Sequence, residues 1–235
     1  MVEGPRAVTT AFDHDAPIEV VYFGPGANVA FASLRARVEA AGVEWRVLKE
    51  GVLERVGSTV TPQPVLAVAR KPAPTIEWLA RDGLIVVGVE LGDPGNVGTL
   101  LRSAEASGAA GIVLSRGSVD AYNPKVVRAS AGAIFGVPVT EEWSAVEALD
   151  ALGELGRQRL GAVAGTGTAY ADVDFRRPTA VVLGNEAHGL GDDLIAHLDG
   201  HVTIPMAASA ESLNVAMAGT VLCFESARQR TTSGS

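Results

Sequence analysis

The run Leu84-Ile85-Val86-Val87-Gly88-Val89, followed by Glu90-Leu91-Gly92-Asp93-Pro94-Gly95-Asn96-Val97-Gly98-Thr99-Leu100-Leu101-Arg102, decides the fold class. A continuous apolar strand is what a parallel sheet covered on both faces requires of its central members. Apolar residues then recur at helical spacing over Val97–Ser107, and Gly108 stands where a left-handed residue ends a helix. Downstream the alternation continues. Ile112–Leu114, Ala162–Ala164, Ala180–Leu183 and Val202–Ile204 read as short strands. Pro124 suits the first position of a helix running to about Ala131. Ser144 and Glu147 have capping-box spacing, and a long helix runs from about Leu213 to Gln229. Strands alternating with helices predict an α/β unit built on a mostly parallel sheet.

Upstream, Glu19–Phe23, Glu44–Val47 and Val65–Ala69 read as strands, with a helix over Val29–Ala41 stopped by Gly42. Pro72 and Pro74 interrupt this pattern, and a short helix around Ile76–Arg81 leads into the Leu84 strand. The chain therefore divides into a smaller N-terminal α/β unit, residues 1–75, and a larger unit, 83–229. The tail, 230–235, is expected to lack fixed structure.

The 235 residues are 47% hydrophobic and 20% charged, a balance with ample apolar material for a core. Glycine and proline make up about 17% of the chain, below the level of low-complexity sequence. One cysteine, Cys223, excludes an intramolecular disulfide framework, and within an apolar helix it reads as a small core residue. His14, His188, His197 and His201 lack metal-ligand spacing, so no metal is expected. Met1–Arg6 has no basic-then-apolar signal pattern and no apolar run approaches membrane-spanning length, so the expectation is a cytoplasmic protein without a membrane partner. The net charge of −8 argues against nucleic acid, but it is unevenly spread. Residues 1–82 hold 9 Lys/Arg against 10 Asp/Glu, and 83–235 hold 10 against 17, which leaves the first part free to present a basic face.

There is no Gly-x-Ser-x-Gly elbow and no phosphate loop, and Gly165-Thr166-Gly167-Thr168-Ala169-Tyr170 lacks the last glycine of a dinucleotide fingerprint. Three loops at the carboxyl ends of strands, where open parallel sheets place ligands, hold an excess of turn-forming and polar residues. They are Gly92–Arg102, Leu183–Leu190, and Ile204-Pro205-Met206 with Glu211–Ala216.

In this order and at these separations the loops resemble the three motifs of the SpoU-type (TrmH-like) RNA ribose 2′-O-methyltransferases of the SPOUT class. Asn96, Gly98 and Arg102 match the first motif. Gly184, Asn185, Glu186, Gly189 and Leu190 match the second. Ile204, Pro205, Met206, Ser212, Leu213, Asn214 and Val215 match the third. The N-terminal part is similar to the family's accessory RNA-binding domain, with Val2-Glu3-Gly4 and Ser58–Gln63 as landmarks and Pro64 where glycine is usual. The resemblance implies a trefoil-knotted methyltransferase domain, which periodicity cannot show because true knots are rare exceptions to the usual connection rules. It also implies S-adenosylmethionine as cofactor and structured RNA as substrate, ribosomal RNA ahead of tRNA.

For the cofactor, the resemblance points to backbone groups of Gly184, Ile204 and Leu213, apolar walls from Ala164, Leu183 and Met206, and contacts from Asn185 and Thr166. For transfer it points to Arg102, with Asn96, Glu186, Ser212 and Asn214 fixing the arginine and the substrate. Arg102 is either an activating base or a clamp on the adjacent phosphate; the reluctance of any guanidinium to give up its proton makes the clamp physically easier. Its bland alternative is a surface arginine paired with Glu105, and that of Asn214 is a cap on the last helix. Other readings are a non-catalytic RNA-binding relative and an unrelated α/β enzyme for a small molecule. The last helix is apolar around much of its circumference through Leu213, Val215, Ala216, Met217, Val221, Leu222 and Phe224. Such a helix is buried on more than one side. The resemblance implies that this helix and the Val97–Ser107 helix meet a two-fold partner, Ala216, Ala218 and Gly219 allowing close approach, and that RNA held by one chain would be methylated in its neighbour.

Overall fold

The computed structural model describes residues 1–57, 61–72, 76–141, 143–185, 188–207 and 212–231. Its N-terminal unit comprises β1 (Val2–Glu3), α1 (Pro5–Asp13), β2 (Ile18–Phe23), α2 (Ala27–Ala30), α3 (Ala32–Ala40), β3 (Glu44–Val47), α4 (Leu53–Val56) and β4 (Val65–Ala69). These strands form one sheet in the order β1-β4-β2-β3, with β2 and β3 parallel and β4 antiparallel to both its neighbours. Beyond a 3₁₀ turn at Ile76–Ala80 come β5 (Leu84–Gly88), α5 (Pro94–Ser107), β6 (Gly111–Leu114), α6 (Pro124–Ala129), β7 (Val139–Thr140), α7 (Ala145–Glu154), β8 (Gln158–Ala162), β9 (Thr168–Ala169), β10 (Thr179–Leu183), α8 (Asp192–Ile195), β11 (Gly200–Thr203) and α9 (Val215–Thr231). Their strands make a seven-stranded sheet, β7-β6-β5-β10-β8-β11-β9, parallel throughout.

The sheet is the middle of three layers. Strands β5 and β10 are buried along their whole length and pair Leu84 with Thr179 through Gly88 with Leu183. Because side chains alternate along a strand, Leu84, Val86, Val181 and Leu183 join the core beneath α5 and α9, while Ile85, Val87, Ala180 and Val182 pack with Ala148, Leu149 and Leu152 of α7. Asp93 caps α5 by accepting from the Gly95 N–H at 2.6 Å, and Gly108 ends it at φ 67°. The capping box of Ser144 and Glu147 is present at the start of α7. Cys223 is 1% exposed, and burial pushes its thiol up to about 12.

Several sequence expectations need correction. The strand expected at Ala162–Ala164 is Gln158–Ala162. Its polar start disguises it: Arg159 lies in the ladder while its guanidinium reaches Asp199 at 2.8 Å. The Val29–Ala41 helix is two helices, broken at Phe31 (φ −113°, ψ 46°). The last helix begins at Val215, so Leu213 precedes it. Five short elements, β1, α4, β7, β9 and α8, and the helix α1 are absent from the sequence reading; for α1 the available signal is Pro5 at its head, with Val8 and Ala11 buried on one face. Ser58, Thr59 and Val60 of the N-terminal landmark lie outside the described residues.

The two units touch. Thr10 of α1 sits where a Cβ at Gly132 would come within 2.4 Å of its Cγ2, and Phe135 packs into the N-terminal core. His14 Nε2 meets Glu105 Oε1 of α5 at 2.9 Å. Lys71 Nζ lies 3.1 Å from Glu141 Oε1 and 4.8 Å from the ring centroid of Tyr122.

The approach to β5 is fastened by one buried cation. Arg157 is 4% exposed, and its guanidinium donates to the carbonyls of Leu79 (2.7 Å), Gly83 (2.9 Å) and Arg81. Burial, helped by nearby Arg230, holds its pKa below the usual arginine value. Arg157→Met keeps much of the bulk but leaves three carbonyls without their donor. An unsatisfied buried group costs about 1–3 kcal/mol, so a loss of about 3 kcal/mol is expected, read as a Tm lower by roughly 6–12 °C in calorimetry. An unchanged Tm would show that water replaces the guanidinium without cost.

Candidate cofactor and substrate site

A cavity of about 410 Å³ opens at the carboxyl ends of three adjacent strands. Ala162, Val163 and Ala164 enter it from the end of β8, Leu183, Gly184 and Asn185 from β10, and Val202, Ile204 and Met206 from β11. The segment Ser212–Val215, with Ala218 and Leu222 of α9, closes the remaining side.

The loop after β10 is shaped by two glycines. A Cβ on Gly184 would lie 2.4 Å from both C and O of Gly189, so the backbone folds back on itself there as no side chain would allow. Asn185 N–H donates to the Gly189 carbonyl at 3.1 Å, Gly189 N–H returns a bond to Asn185 at 2.8 Å, and Gly189 takes φ 67°. Asn185 Nδ2 donates to the Glu90 carbonyl at 2.9 Å, which ties this loop to the end of β5.

Asn214 does two jobs. Its Oδ1 accepts the N–H groups of Ala216 (2.9 Å) and Met217 (3.3 Å), capping α9, and its Nδ2 donates to Asn96 Oδ1 at 3.0 Å. The first turn of α5 is thus joined to the cavity wall. A second tie is Ser103 Oγ to Thr220 Oγ1 at 2.7 Å, and Gly219 lets the helices close, since a Cβ there would meet Leu100 Cδ2 at 2.3 Å.

Of the residues nominated for the cofactor, Ala164, Leu183, Gly184, Asn185, Ile204, Met206 and Leu213 line the cavity, whereas Thr166 is exposed and outside the lining. Of those nominated for transfer, Ser212 and Asn214 line it and Asn96 is bonded to Asn214. Arg102 is exposed on α5 and not in the lining; the partner suggested by its bland alternative, Glu105, pairs with His14 instead. Glu186 lies outside the described residues. The sequence reading missed Ala162, Val163, Val202, Ala218 and Leu222. Val215, Ala218 and Leu222 recur at helical spacing, but in a helix apolar around much of its circumference that stripe does not stand out.

Gly98 has a role the motif did not disclose. Its Cβ would fall 2.4 Å from Ala129 Cβ and 2.8 Å from the Ala129 carbonyl carbon, so it permits α5 to cross α6. It is a packing residue.

Ligand cavities commonly measure about 300–1,000 Å³, so this one accepts a nucleoside-sized molecule. None of the lining residues named is charged, which serves an uncharged base and sugar better than a polyphosphate. The fold and site define an α/β protein that holds a nucleoside-like ligand at the carboxyl edge of a parallel sheet. Residues 83–224 match the SpoU rRNA Methylase family, and residues 1–75 match the RNA 2'-O ribose methyltransferase substrate binding family. The chain belongs to the SpoU rRNA methylase family. It is 32% identical to the 23S rRNA (uridine(2479)-2'-O)-methyltransferase of Streptomyces viridochromogenes, over 98% of this chain and 83% of that protein. With the 23S rRNA (guanosine(2553)-2'-O)-methyltransferase RlmP of Bacillus subtilis it shares 33% identity, over 78% of this chain and 72% of the relative. Among solved structures, the SpoU methyltransferase AviRb from Streptomyces viridochromogenes in complex with the cofactor AdoMet superposes with a TM-score of 0.86 at 31% identity, covering 98% of this chain and 90% of that one.

Proposed function

We propose that the protein transfers a methyl group from S-adenosylmethionine to a ribose 2′-hydroxyl of structured RNA, ribosomal RNA in particular. The observation that carries this reading is the cavity, lined among the described residues by uncharged side chains, that loops far apart in sequence build and that Asn214 and Asn96 join to the Arg102 helix. The names of the relatives and the match of residues 1–75 support ribosomal RNA. Calorimetric titration with S-adenosylmethionine, followed by tritiated methyl incorporation into unmodified ribosomal RNA, tests it. Binding without incorporation would favour a non-catalytic relative, and no binding would overturn the cofactor assignment.

In this reading the backbone at Gly184, Ile204 and Leu213 holds the adenine edge, Ala164, Leu183 and Met206 flank it, and Asn185 adds a polar contact; Thr166, outside the lining, has no part in it. When bound, the cofactor supplies an electrophilic methyl group. The chain's own task is to place the ribose hydroxyl and dispose of its proton. Arg102, permanently charged, clamps the neighbouring phosphate with its planar fork. Asn96 and Asn214 orient the sugar side, with Ser212 at the mouth and Glu186 completing the set.

We assign residues 1–75 to RNA holding and 83–229 to a catalytic domain carrying the trefoil knot; the tail expected at 230–235 is corrected at its start, since α9 runs on to Thr231 and Arg230 is bonded to Ser226 and Arg177. Support for the knot is that β10 is inserted between β5 and β8 while the later chain returns through α9 to pack on α5. No helix of the described residues is long and apolar enough to cross a membrane, and we place the enzyme in the cytoplasm with its RNA. A homodimer is the proposed assembly. Met217 (60% exposed) and Phe224 (48% exposed) lie two turns apart on α9, on the side away from the cavity. One expectation about this interface is corrected: Ala216 and Gly219 are buried against the chain's own helices, so close approach to a partner does not fall to them. Phe224→Glu should halve the mass seen by light scattering at micromolar concentration. A wild-type monomer under those conditions would end the proposal.

A further inference from the structure

Among the described residues, Asp15 (φ 51°), Glu90 (φ 50°) and Ala131 (φ 51°) take a left-handed backbone without being glycine. Asp15 and Ala131 each follow the last capping residue of a helix, where the left-handed conformation is the usual way to stop. Glu90 has no such explanation. It follows the fully buried strand β5, where glycine would take the same conformation without steric cost.

The strain is held in place from two neighbouring strands. Glu90 N–H donates to Ser115 Oγ at 2.9 Å, past the end of β6, and its carbonyl accepts from Asn185 Nδ2 at 2.9 Å, past the end of β10. The next residue is pinned as well, Leu91 N–H donating to Ser118 Oγ at 3.1 Å. The direction of the Glu90 side chain is therefore fixed by the backbone. Its stem passes over Gly117, where a Cβ would come within 3.2 Å of Glu90 Cγ. The residue is exposed, and no described residue forms an ion pair or hydrogen bond with its carboxylate. Its backbone carbonyl touches Asn185, which lines the cavity, while its side chain leans over Gly117 past β6, so the carboxylate stands above β5 and β6, one strand from the cavity mouth. A strained, braced and exposed residue beside a site, with its functional group unspent, is what a substrate contact looks like.

A carboxylate here repels phosphate, so it addresses a base. It has two acceptor oxygens and no donor. Among the four RNA bases, guanine alone offers two neighbouring donors, N1–H and N2–H, along one edge; uracil presents one N–H flanked by two carbonyls that a carboxylate repels. We propose that Glu90 determines specificity by accepting those two donors, so that the nucleotide methylated is guanosine. This rests on the methyltransferase reading above, and it chooses between the guanosine and uridine named for the relatives.

The test uses the full chain. The methylated nucleotide in unmodified ribosomal RNA is mapped first, and a hairpin carrying it is then made with guanosine, inosine or uridine at that position. Inosine lacks N2–H. The expected results are a guanosine target, a kcat/KM at least about tenfold lower on inosine than on guanosine, and a larger loss on uridine. Glu90→Gly should lose at least about tenfold on guanosine, lose the guanosine-over-inosine preference, and keep wild-type affinity for S-adenosylmethionine. Because it relieves the backbone, it should also raise Tm by about 2–4 °C. Glu90→Gln, which sets an amide donor against a base donor, should be impaired without that rise. A uridine target, an unpenalised inosine, or full activity in Glu90→Gly would overturn the assignment. A lower Tm in Glu90→Gly would remove the strain it stands on. Cofactor binding with no transfer to any ribosomal RNA would overturn the methyltransferase reading, and the role of Glu90 with it.

Discussion

Gly184→Ala should weaken S-adenosylmethionine binding by about 10–100-fold while leaving the chain folded. The added methyl group would sit 2.4 Å from the Gly189 backbone, which cannot swing aside as a side-chain tip could. Overpacking of this kind costs about 1–3 kcal/mol, and each 1.4 kcal/mol is a factor of ten. The cost falls on the cavity because relief requires the Asn185–Gly189 pair to open, and Asn185 lines the wall. Calorimetric titration measures the affinity, and circular dichroism shows that the fold survives. Wild-type affinity would mean that the backbone around Gly184 does not contact the ligand.

The largest loss of turnover is expected from Arg102→Ala, at least about 100-fold, since misplacing the reacting group by about 1 Å already costs that much. Cofactor affinity should barely change, because Arg102 is not part of the cavity lining. Arg102→Lys should fail almost as badly: an ammonium is a point charge and cannot reproduce a two-pronged grip on phosphate. Single-turnover rates separate transfer from product release. A lysine variant at near-normal rate would leave Arg102 with only an electrostatic part.

How much of this was legible beforehand varied with the physics of each element. The strands β5 and β10 announced themselves because both faces are covered and every position is apolar. Strand β8 did not, since it opens on Gln158 and Arg159, and the Arg159 guanidinium is satisfied only by a distant partner, Asp199. The cavity residues that came from motifs were found because their loops break ordinary composition, as at Gly184. Those supplied by α9 were hidden within a helix that is apolar around much of its circumference in its first half. Spacing could not reveal why Gly98 is glycine, because the cause is Ala129 on another helix. Nor could it reveal Glu90, whose interest lies in a backbone angle.

The burial of Cys223 has a practical consequence for watching this molecule breathe. It is the one thiol in the chain, on the helix that closes the cavity, and with its pKa pushed up to about 12 it is almost entirely protonated at neutral pH. A maleimide therefore reacts only when α9 lifts away, so the labelling rate is a clock for that opening. A ligand seated against Leu222, the neighbour of Cys223, slows the clock by the factor 1 + [L]/Kd where opening and binding exclude each other. Affinity can then be read from a thiol that never touches the ligand, without a radiolabel or any RNA.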